Sequence, residues 1–236
     1  MGNSRVRPPV PAHENFKSDR DELAKLSLAA RFDRIFRTNL WGARSRSGIG
    51  SELPSTATLR ERLPGFLSAL GVASLLDVPC GDFSWLSTID LPVDYTGADI
   101  VGDLVAANER RFGRPGRRFV RLDLTADPLP PADLILCRDC LVHLSFANVA
   151  RALENVRRSG AAYLLTTTFV EHEANVEIED GDWRLLNLER PPFSLPPPDA
   201  VLMEGCIESN GAYDDKALGL WRVSRLPAPP PDVRAR

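Results

Sequence analysis

The stretch Ser74-Leu-Leu-Asp-Val-Pro-Cys-Gly-Asp-Phe83 decides the fold of this 236-residue chain. Its first five residues form a short apolar run that is typical of a buried strand, and Asp77 lies within the end of that run. Pro79 and Gly81 follow in a loop, and residues 82–89 are predicted to be helical. A strand that passes through an acidic loop into a helix indicates the first unit of a parallel α/β sheet.

The chain after this unit continues to alternate between strands and helices. Further strands are predicted at 95–100, 118–122, 133–137 and 163–169, with helices at about 102–112 and 146–158 and a Pro-rich turn near 127–131. This alternation predicts βαβ units with right-handed crossovers and a parallel sheet. Two final apolar strands, 201–207 and 217–223, flank a polar turn and predict an antiparallel hairpin at the sheet edge.

The chain before the sheet has a different composition. Residues 1–17 are rich in Pro and Arg and are predicted to be a disordered tail. Apolar residues then recur at helical spacing, which predicts helices over about 19–37 and 55–70. The Gly/Ser-rich loop between these helices contains Trp41 and could fold over a ligand; the alternative is a plain connection between two helices. We therefore expect a tail (1–17), a helical cap with a lid loop (18–71), a core (72–226) and a second disordered tail (227–236).

Charge and composition exclude several classes of function. The chain has 29 Lys and Arg against 32 Asp and Glu, a net charge of −3, so it lacks the basic footprint of a nucleic-acid-binding protein. No apolar run approaches the ~18 residues of a membrane span, and no membrane association is expected. The four cysteines lie in apolar or strand-like contexts, which predicts reduced thiols and a cytoplasmic location.

Four successive strands end in or beside an aspartate: Asp77, Asp99, Asp123 and Asp139. The carboxyl ends of parallel strands meet at one edge of the sheet, where ligands bind. One such aspartate is more often a helix cap or a turn residue. Four in register predict an adenosine site, in which Asp99 accepts hydrogen bonds from ribose hydroxyls and Asp123 accepts one from the adenine amine.

The loop after the first strand distinguishes between adenosine ligands. A dinucleotide or ATP site needs a glycine-rich loop that brings the backbone close to phosphates. Only Gly81 is present here, and Asp82 would place a negative charge beside those phosphates. The loop is better suited to a ligand tail that carries an amine and a sulfonium, so a nicotinamide-linked oxidoreductase is the weaker alternative.

These motifs together resemble the class I S-adenosylmethionine-dependent methyltransferases over roughly residues 72–225. The matching segments are Leu75-Leu-Asp-Val-Pro-Cys-Gly81, Gly97-Ala-Asp-Ile100, Leu122-Asp-Leu124 and Asp133-Leu-Ile-Leu-Cys-Arg-Asp139. The chain departs from the usual D-x-G-x-G-x-G pattern at Pro79 and Phe83. The resemblance implies a Rossmann-like, doubly wound, mostly parallel seven-stranded sheet, S-adenosyl-L-methionine as cofactor, and methyl transfer to an O or N acceptor of a small molecule or glycan.

The resemblance also implies which residues bind the cofactor. They are Asp77, Pro79, Cys80, Gly81 and Asp82 around the methionine end, Asp99 and Ile100 at the ribose, Asp123 and Leu124 at the adenine, Cys137 and Arg138 after the fourth strand, and Trp41 in the lid loop.

Methyl transfer requires the protein to position a nucleophile and to remove a proton. His143, six residues after the fourth strand, is the first candidate base or substrate orienter, and Asp139 is the second. The alternatives are a histidine packed under its helix and a helix-capping aspartate. Trp183 and Arg184 follow the fifth strand and could bind a small polar or acidic acceptor, or pack on the sheet as a surface arm.

Three further alternatives concern metals, nucleic acids and catalysis. The spacing Cys137-x-x-Cys140-x-x-His143 lacks the second ligand pair of a structural zinc site, so no metal is predicted. The two cysteines are expected to be buried or to line the ligand, and a redox pair before a helix is the alternative. The segment after the fourth strand also lacks the Asn/Asp-Pro-Pro-aromatic motif common in methyltransferases of nucleic-acid amines, so no nucleic-acid partner is expected. The alternative to an enzyme is a non-catalytic S-adenosylmethionine-binding partner module.

Overall fold

The computed structural model describes residues 7–228, and seven strands within them form one sheet. The strands are β1 (Ser74–Asp77), β2 (Asp94–Asp99), β3 (Arg117–Arg121), β4 (Leu134–Cys137), β5 (Tyr163–Phe169), β6 (Ala200–Met203) and β7 (Lys216–Arg222). Their order is β3-β2-β1-β4-β5-β7-β6. Strands β1 to β5 are parallel, whereas β7 is antiparallel to both β5 and β6. The predicted mostly parallel sheet with an antiparallel C-terminal pair is confirmed.

Within the described residues, five helices of eleven or more residues accompany the sheet: α1 (Pro11–Ala24), α2 (Leu28–Thr38), α3 (Ala57–Leu70), α4 (Gly102–Phe112) and α5 (Phe146–Arg158). Neighbouring residues of a strand pack on opposite faces, as the alternation of side chains requires. Leu75 packs in the cluster that contains the apolar side of α3, whereas Leu76 packs in the cluster that contains α5. Helices on both faces make the sheet doubly wound, and its central strands are buried on both sides.

The N-terminal segment differs from its prediction. We expected a disordered tail to residue 17 and one helix over about 19–37, but α1 begins at Pro11 and a separate α2 begins at Leu28. Proline suits the first helical position because its missing N–H has no partner there. Phe16 is buried in a small cluster with Ile35, which composition alone does not reveal.

The break between α1 and α2 has a local cause. Ser27 is extended, and its side chain accepts a hydrogen bond from the backbone N–H of Ala30, which makes it the N-cap of α2. Residues 1–6 and 229–236 lie outside the described residues, so the predicted disorder of those segments stays a prediction.

The predicted helix over 82–89 is a single 3₁₀ turn, Leu86–Thr88. Phe83 has a φ of 55°, which lies outside the helical region, and its ring is buried against Tyr95, Phe112 and Phe119. These aromatic contacts stabilise the loop conformation at Phe83, and they would be lost if this segment were helical. Among residues 7–228, no helix combines the length and apolar character needed to cross a membrane.

Candidate active site

A cleft lies at the carboxyl ends of β1, β2, β3 and β4, where the switch in strand order opens the sheet. Helix α2 and residues 41–51, here called the cover loop, form its other wall. The space inside, including its open mouth, is about 1020 Å³. We refer to it as the cofactor cleft.

Ten of the twelve residues predicted to bind the cofactor line this cleft. They are Trp41, Asp77, Pro79, Cys80, Gly81, Asp99, Ile100, Asp123, Leu124 and Arg138. Asp82 does not line it, because its carboxylate accepts a hydrogen bond from Ser45 Oγ at 2.8 Å. Cys137 is buried inside β4, and Cys140 lines the cleft in its place.

Asp99 is a buried carboxylate at the end of β2, and backbone groups orient it. Its oxygens accept hydrogen bonds from the N–H of Val101 at 3.0 Å and of Gly81 at 3.2 Å. Burial raises the pKa of Asp99 to about 6, against a usual value of 3.8, although these backbone hydrogen bonds act in the opposite direction. The carboxylate is thus held in position at the cleft wall and gains from any further hydrogen-bond donor.

Asp77 at the end of β1 accepts a hydrogen bond from the hydroxyl of Tyr95 at 2.5 Å. Burial raises its pKa to about 7, which the Tyr95 hydrogen bond partly offsets. Beside it, the carbonyl of Gly81 accepts a hydrogen bond from Asn108 Nδ2 at 2.7 Å. Two residues that the sequence analysis did not single out, Tyr95 and Asn108, therefore support the loop after β1.

Asp123 stands just beyond the end of β3 with one carboxylate oxygen occupied. Its Oδ1 accepts hydrogen bonds from the N–H and the hydroxyl of Thr125, at 2.8 and 2.7 Å. No donor within the described part of the chain reaches Oδ2. The side chain is thus oriented by a turn and keeps one acceptor available for a ligand in the cleft.

The cover loop docks on the loop after β1. Ser47 Oγ accepts a hydrogen bond from the N–H of Asp82 at 2.8 Å. Gly81 has a φ of +53°, and a Cβ there would lie 2.5 Å from Ser47 Oγ. Glycine is therefore required at this point both by the backbone conformation and by the close approach of the cover loop.

His143 lies in the 3₁₀ turn after β4 and is buried, and Trp41 of the cover loop stacks on its ring with centroids 4.6 Å apart. Its Nδ1 donates to the carbonyl of Asp182 at 2.7 Å, which leaves the lone pair on Nε2. Burial lowers the pKa of His143 below its usual 6.5, so the ring is neutral at pH 7. A neutral imidazole of fixed orientation is suited to accept a proton.

Asp139, the second candidate base, belongs to a buried ionic network. Its Oδ2 lies 2.7 Å from Lys216 Nζ and 3.3 Å from Arg138 Nη1. Although burial opposes ionisation, these two cations hold the pKa of Asp139 well below its usual range. Arg138 also donates to both oxygens of Glu204, at 3.2 and 2.7 Å. A carboxylate held this firmly in its ionised form is a weak base, so the geometry favours His143.

A second cavity, here called the acceptor cavity, adjoins the cofactor cleft. Trp41, Ser47, Asp139 and His143 line both spaces. The far side of the acceptor cavity is formed by aromatic residues and by the connection between β6 and β7. Side chains on the shared wall can therefore contact a molecule in either space.

Of the two residues predicted to bind the acceptor, Trp183 and Arg184, the structure places one at the acceptor cavity. Trp183 lines both the acceptor cavity and a third cavity beside α1, whereas Arg184 lines the third cavity alone. The guanidinium of Arg184 is buried over the ring of Phe146, and burial lowers its pKa to about 10. Of these two residues, Trp183 alone is therefore placed to contact a molecule in the acceptor cavity.

No protein-family model matches the sequence, and a search of curated proteins finds no match. Solved structures are similar in fold. The 1,6-didemethyltoxoflavin-N1-methyltransferase of Burkholderia thailandensis, solved with 1,6-didemethyltoxoflavin and S-adenosylhomocysteine, is 15% identical over 94% of this chain and 96% of its own, with a TM-score of 0.56. The CMeT domain of the citrinin polyketide synthase is 16% identical over 90% of this chain and 64% of its own, with a TM-score of 0.56.

The [4+2]-cyclase SpnF is 22% identical over 55% of this chain, with a TM-score of 0.42, and the chain spans about half (53%) of its length. The two structures with a TM-score of 0.56 and the strand order together show that this chain has the class I methyltransferase fold. The resemblance stated from the sequence motifs is confirmed at the level of the fold.

Proposed function

We propose that this chain is an S-adenosylmethionine-dependent methyltransferase that transfers a methyl group to an O or N acceptor of a small molecule or glycan. The observation that carries the proposal is the pair of carboxylates Asp99 and Asp123, at the ends of neighbouring strands in one cleft, with neutral His143 on the wall of that cleft. The free thiols of the four cysteines support the further proposal of a cytoplasmic location.

The cofactor cleft fits the chemistry of an adenosine with a cationic tail. Asp99 is suited to accept hydrogen bonds from the ribose hydroxyls, and Oδ2 of Asp123 is suited to accept one from the adenine amine. Asp77 adds a third carboxyl group near the position of the tail. The loop after β1 has a single glycine, Gly81, and so lacks the glycine-rich backbone that a pyrophosphate needs, which argues against a nicotinamide cofactor.

The residues around His143 support its role as the base. S-Adenosylmethionine supplies a methyl group on a positively charged sulfur, so the reaction itself needs only a positioned nucleophile and an acceptor for its proton. Nε2 of His143 can take that proton, because the Asp182 carbonyl occupies Nδ1. Trp41 and the Asp182 carbonyl act as positioning groups that hold the imidazole plane.

Calorimetric titration with S-adenosylhomocysteine tests the cofactor assignment. We expect binding in the micromolar range and no binding of NADH measured by fluorescence. A folded sample that fails to bind S-adenosylhomocysteine would refute the proposal. Methyl transfer from labelled S-adenosylmethionine to a panel of small acceptors then separates an enzyme from the alternative, a non-catalytic binding module, which would bind the cofactor without turnover.

A further inference from the structure

The acceptor cavity combines apolar walls with an unbalanced set of charges. Its space, including the open mouth, is about 680 Å³. Trp41, Phe169, Trp183 and Tyr213 supply aromatic walls. Trp183 and Tyr213 pack edge to face with centroids 5.4 Å apart, and this packing fixes the shape of that side of the cavity. Aromatic walls of fixed shape favour a planar, apolar body in the ligand.

The charges at the base of the cavity favour a cation over an anion. Of the charged side chains that line it, Lys216 is a cation and Asp139 and Glu208 are carboxylates, a formal balance of 1 − 2 = −1; behind them Arg138 pairs with the carboxylate of Glu204. Lys216 Nζ already lies within 4 Å of all three carboxylates, at 2.7, 3.5 and 3.9 Å. It is therefore neutralised and offers little to an anionic acceptor.

Glu208 is the carboxylate with the weakest partners. Its nearest cation is Lys216 at 3.9 Å, and its Oε1 accepts only the weak thiol hydrogen bond of Cys206 at 3.7 Å. No donor among the described residues reaches its Oε2. The side chain of Glu208 is 15% exposed, against 1% for Glu204. Asp139 is 21% exposed but already pairs with Lys216 at 2.7 Å, so Glu208 is the accessible carboxylate that lacks a close cation.

We propose that the acceptor is a small primary or secondary amine on a planar apolar body, and that Glu208 binds its ammonium group in the acceptor cavity. This inference rests on the proposed function and narrows its acceptor from an oxygen or nitrogen to an amine nitrogen. The aromatic walls contribute to the same preference, because the faces of Trp and Tyr rings attract cations.

The reaction step is balanced with His143 as the base. The ammonium group gives one proton to Nε2 of His143, and the nitrogen lone pair forms the bond to the methyl carbon. The electron pair of the broken carbon–sulfur bond stays on the sulfur, which becomes a neutral thioether. The products are a methylated ammonium ion and an imidazolium, so two positive charges stand on each side of the equation.

The test compares three probes of similar shape on the complex with S-adenosylhomocysteine: 2-phenylethylamine, 2-phenylethanol and phenylacetate. We expect the amine to bind at least tenfold more tightly than the alcohol or the carboxylate, measured by calorimetry. Glu208→Gln should reduce the affinity for the amine about tenfold and leave that for the alcohol unchanged. Glu173→Gln, which removes the same charge from an exposed position after β5, is the matched control and should change neither affinity.

A second variant tests the same site by filling part of its space. A Cβ on Gly50 would lie 2.8 Å from Asp139 Oδ2 and 3.5 Å from Glu208 Oε1, so Gly50→Ala fills the space beside the carboxylate. It should weaken amine binding while S-adenosylhomocysteine still binds, and it provides the readout if Glu208→Gln does not fold. An amine that binds no better than the alcohol, or not at all, to a complex that has bound S-adenosylhomocysteine overturns the inference alone. Failure of S-adenosylhomocysteine to bind overturns the proposed function as well.

Discussion

Replacing Gly81 by alanine tests whether the cover loop is docked on the loop after β1. Gly81→Ala places a Cβ 2.5 Å from Ser47 Oγ and 3.0 Å from Ser47 Cβ, at a backbone φ of +53°. Gly71→Ala is the matched control, because Gly71 has a φ of +67° and an added Cβ there meets nothing within 4 Å. Both variants carry the same kind of backbone strain, and only the first forces the cover loop to move.

The difference between the two variants can be estimated from the contacts. An alanine in the left-handed region costs about 1–2 kcal/mol, and this cost is common to both variants. Displacing the cover loop also breaks the hydrogen bonds from Asp82 N–H to Ser47 Oγ and from Ser45 Oγ to Asp82, both at 2.8 Å. At about 1 kcal/mol each, these add about 2 kcal/mol to the cost of Gly81→Ala.

Urea unfolding followed by tryptophan fluorescence measures this difference, and calorimetry measures S-adenosylhomocysteine affinity. We expect Gly81→Ala to lose about 2 kcal/mol more stability than Gly71→Ala. The cover loop forms one wall of the cofactor cleft, so we also expect Gly81→Ala to bind S-adenosylhomocysteine about tenfold more weakly, a loss of about 1.4 kcal/mol. Equal stabilities and equal affinities in the two variants would refute the docked position of the cover loop.

Three further predictions concern the strand-end acids and the N-terminus. Asp99→Ala should weaken S-adenosylhomocysteine binding by about 1–3 kcal/mol, whereas the fully exposed Asp90→Ala should not; equal affinities would contradict the ribose assignment. Burial raises the pKa of Asp77 to about 7 and of Asp99 to about 6, above 3.8, so their contribution to stability is complete below pH 3.8 and is lost as the pH rises to about 7. Urea unfolding should therefore show that the free energy of unfolding falls less between pH 5 and pH 8 in Asp77→Asn than in the wild type. An equal fall in both proteins would contradict the raised pKa of Asp77 as its cause. Deletion of residues 1–15 should lower the melting temperature, because it removes buried Val10 and the Arg7 partner of Asp215; an unchanged melting temperature would mean that these contacts add no stability.

The central strands β1 and β4 were predictable because each is a short, mostly apolar run that is buried on both faces of the sheet. Strand β6 is the exception in length, predicted at 201–207 and observed at Ala200–Met203. The chain leaves the sheet at Glu204, which turns to the guanidinium of Arg138, and Gly205 follows with a φ of +65°. Hydropathy cannot predict that end, because its cause is a charge located 66 residues earlier in the sequence.

The positions of the strand-end acids were predictable from topology alone. Residues that follow parallel strands arrive at the same edge of the sheet whatever their distance in sequence, so Asp77, Asp99 and Asp123 had to lie near one cleft. The roles of these residues in binding stay predictions. The supporting residues carry no such signal, since Tyr95 and Lys216 look like ordinary members of their strands.

The sequence by itself determined the strands of the sheet and the edge at which a ligand would bind, because these follow from local hydropathy and from the alternation of strands and helices. Tertiary structure decided which side chains turn into that edge. It assigned Asp139 to an ionic network with Lys216, stacked Trp41 on His143, and directed Arg184 away from the acceptor cavity. These outcomes depend on contacts between segments that are distant in sequence, where burial and charge pairing outweigh any local preference.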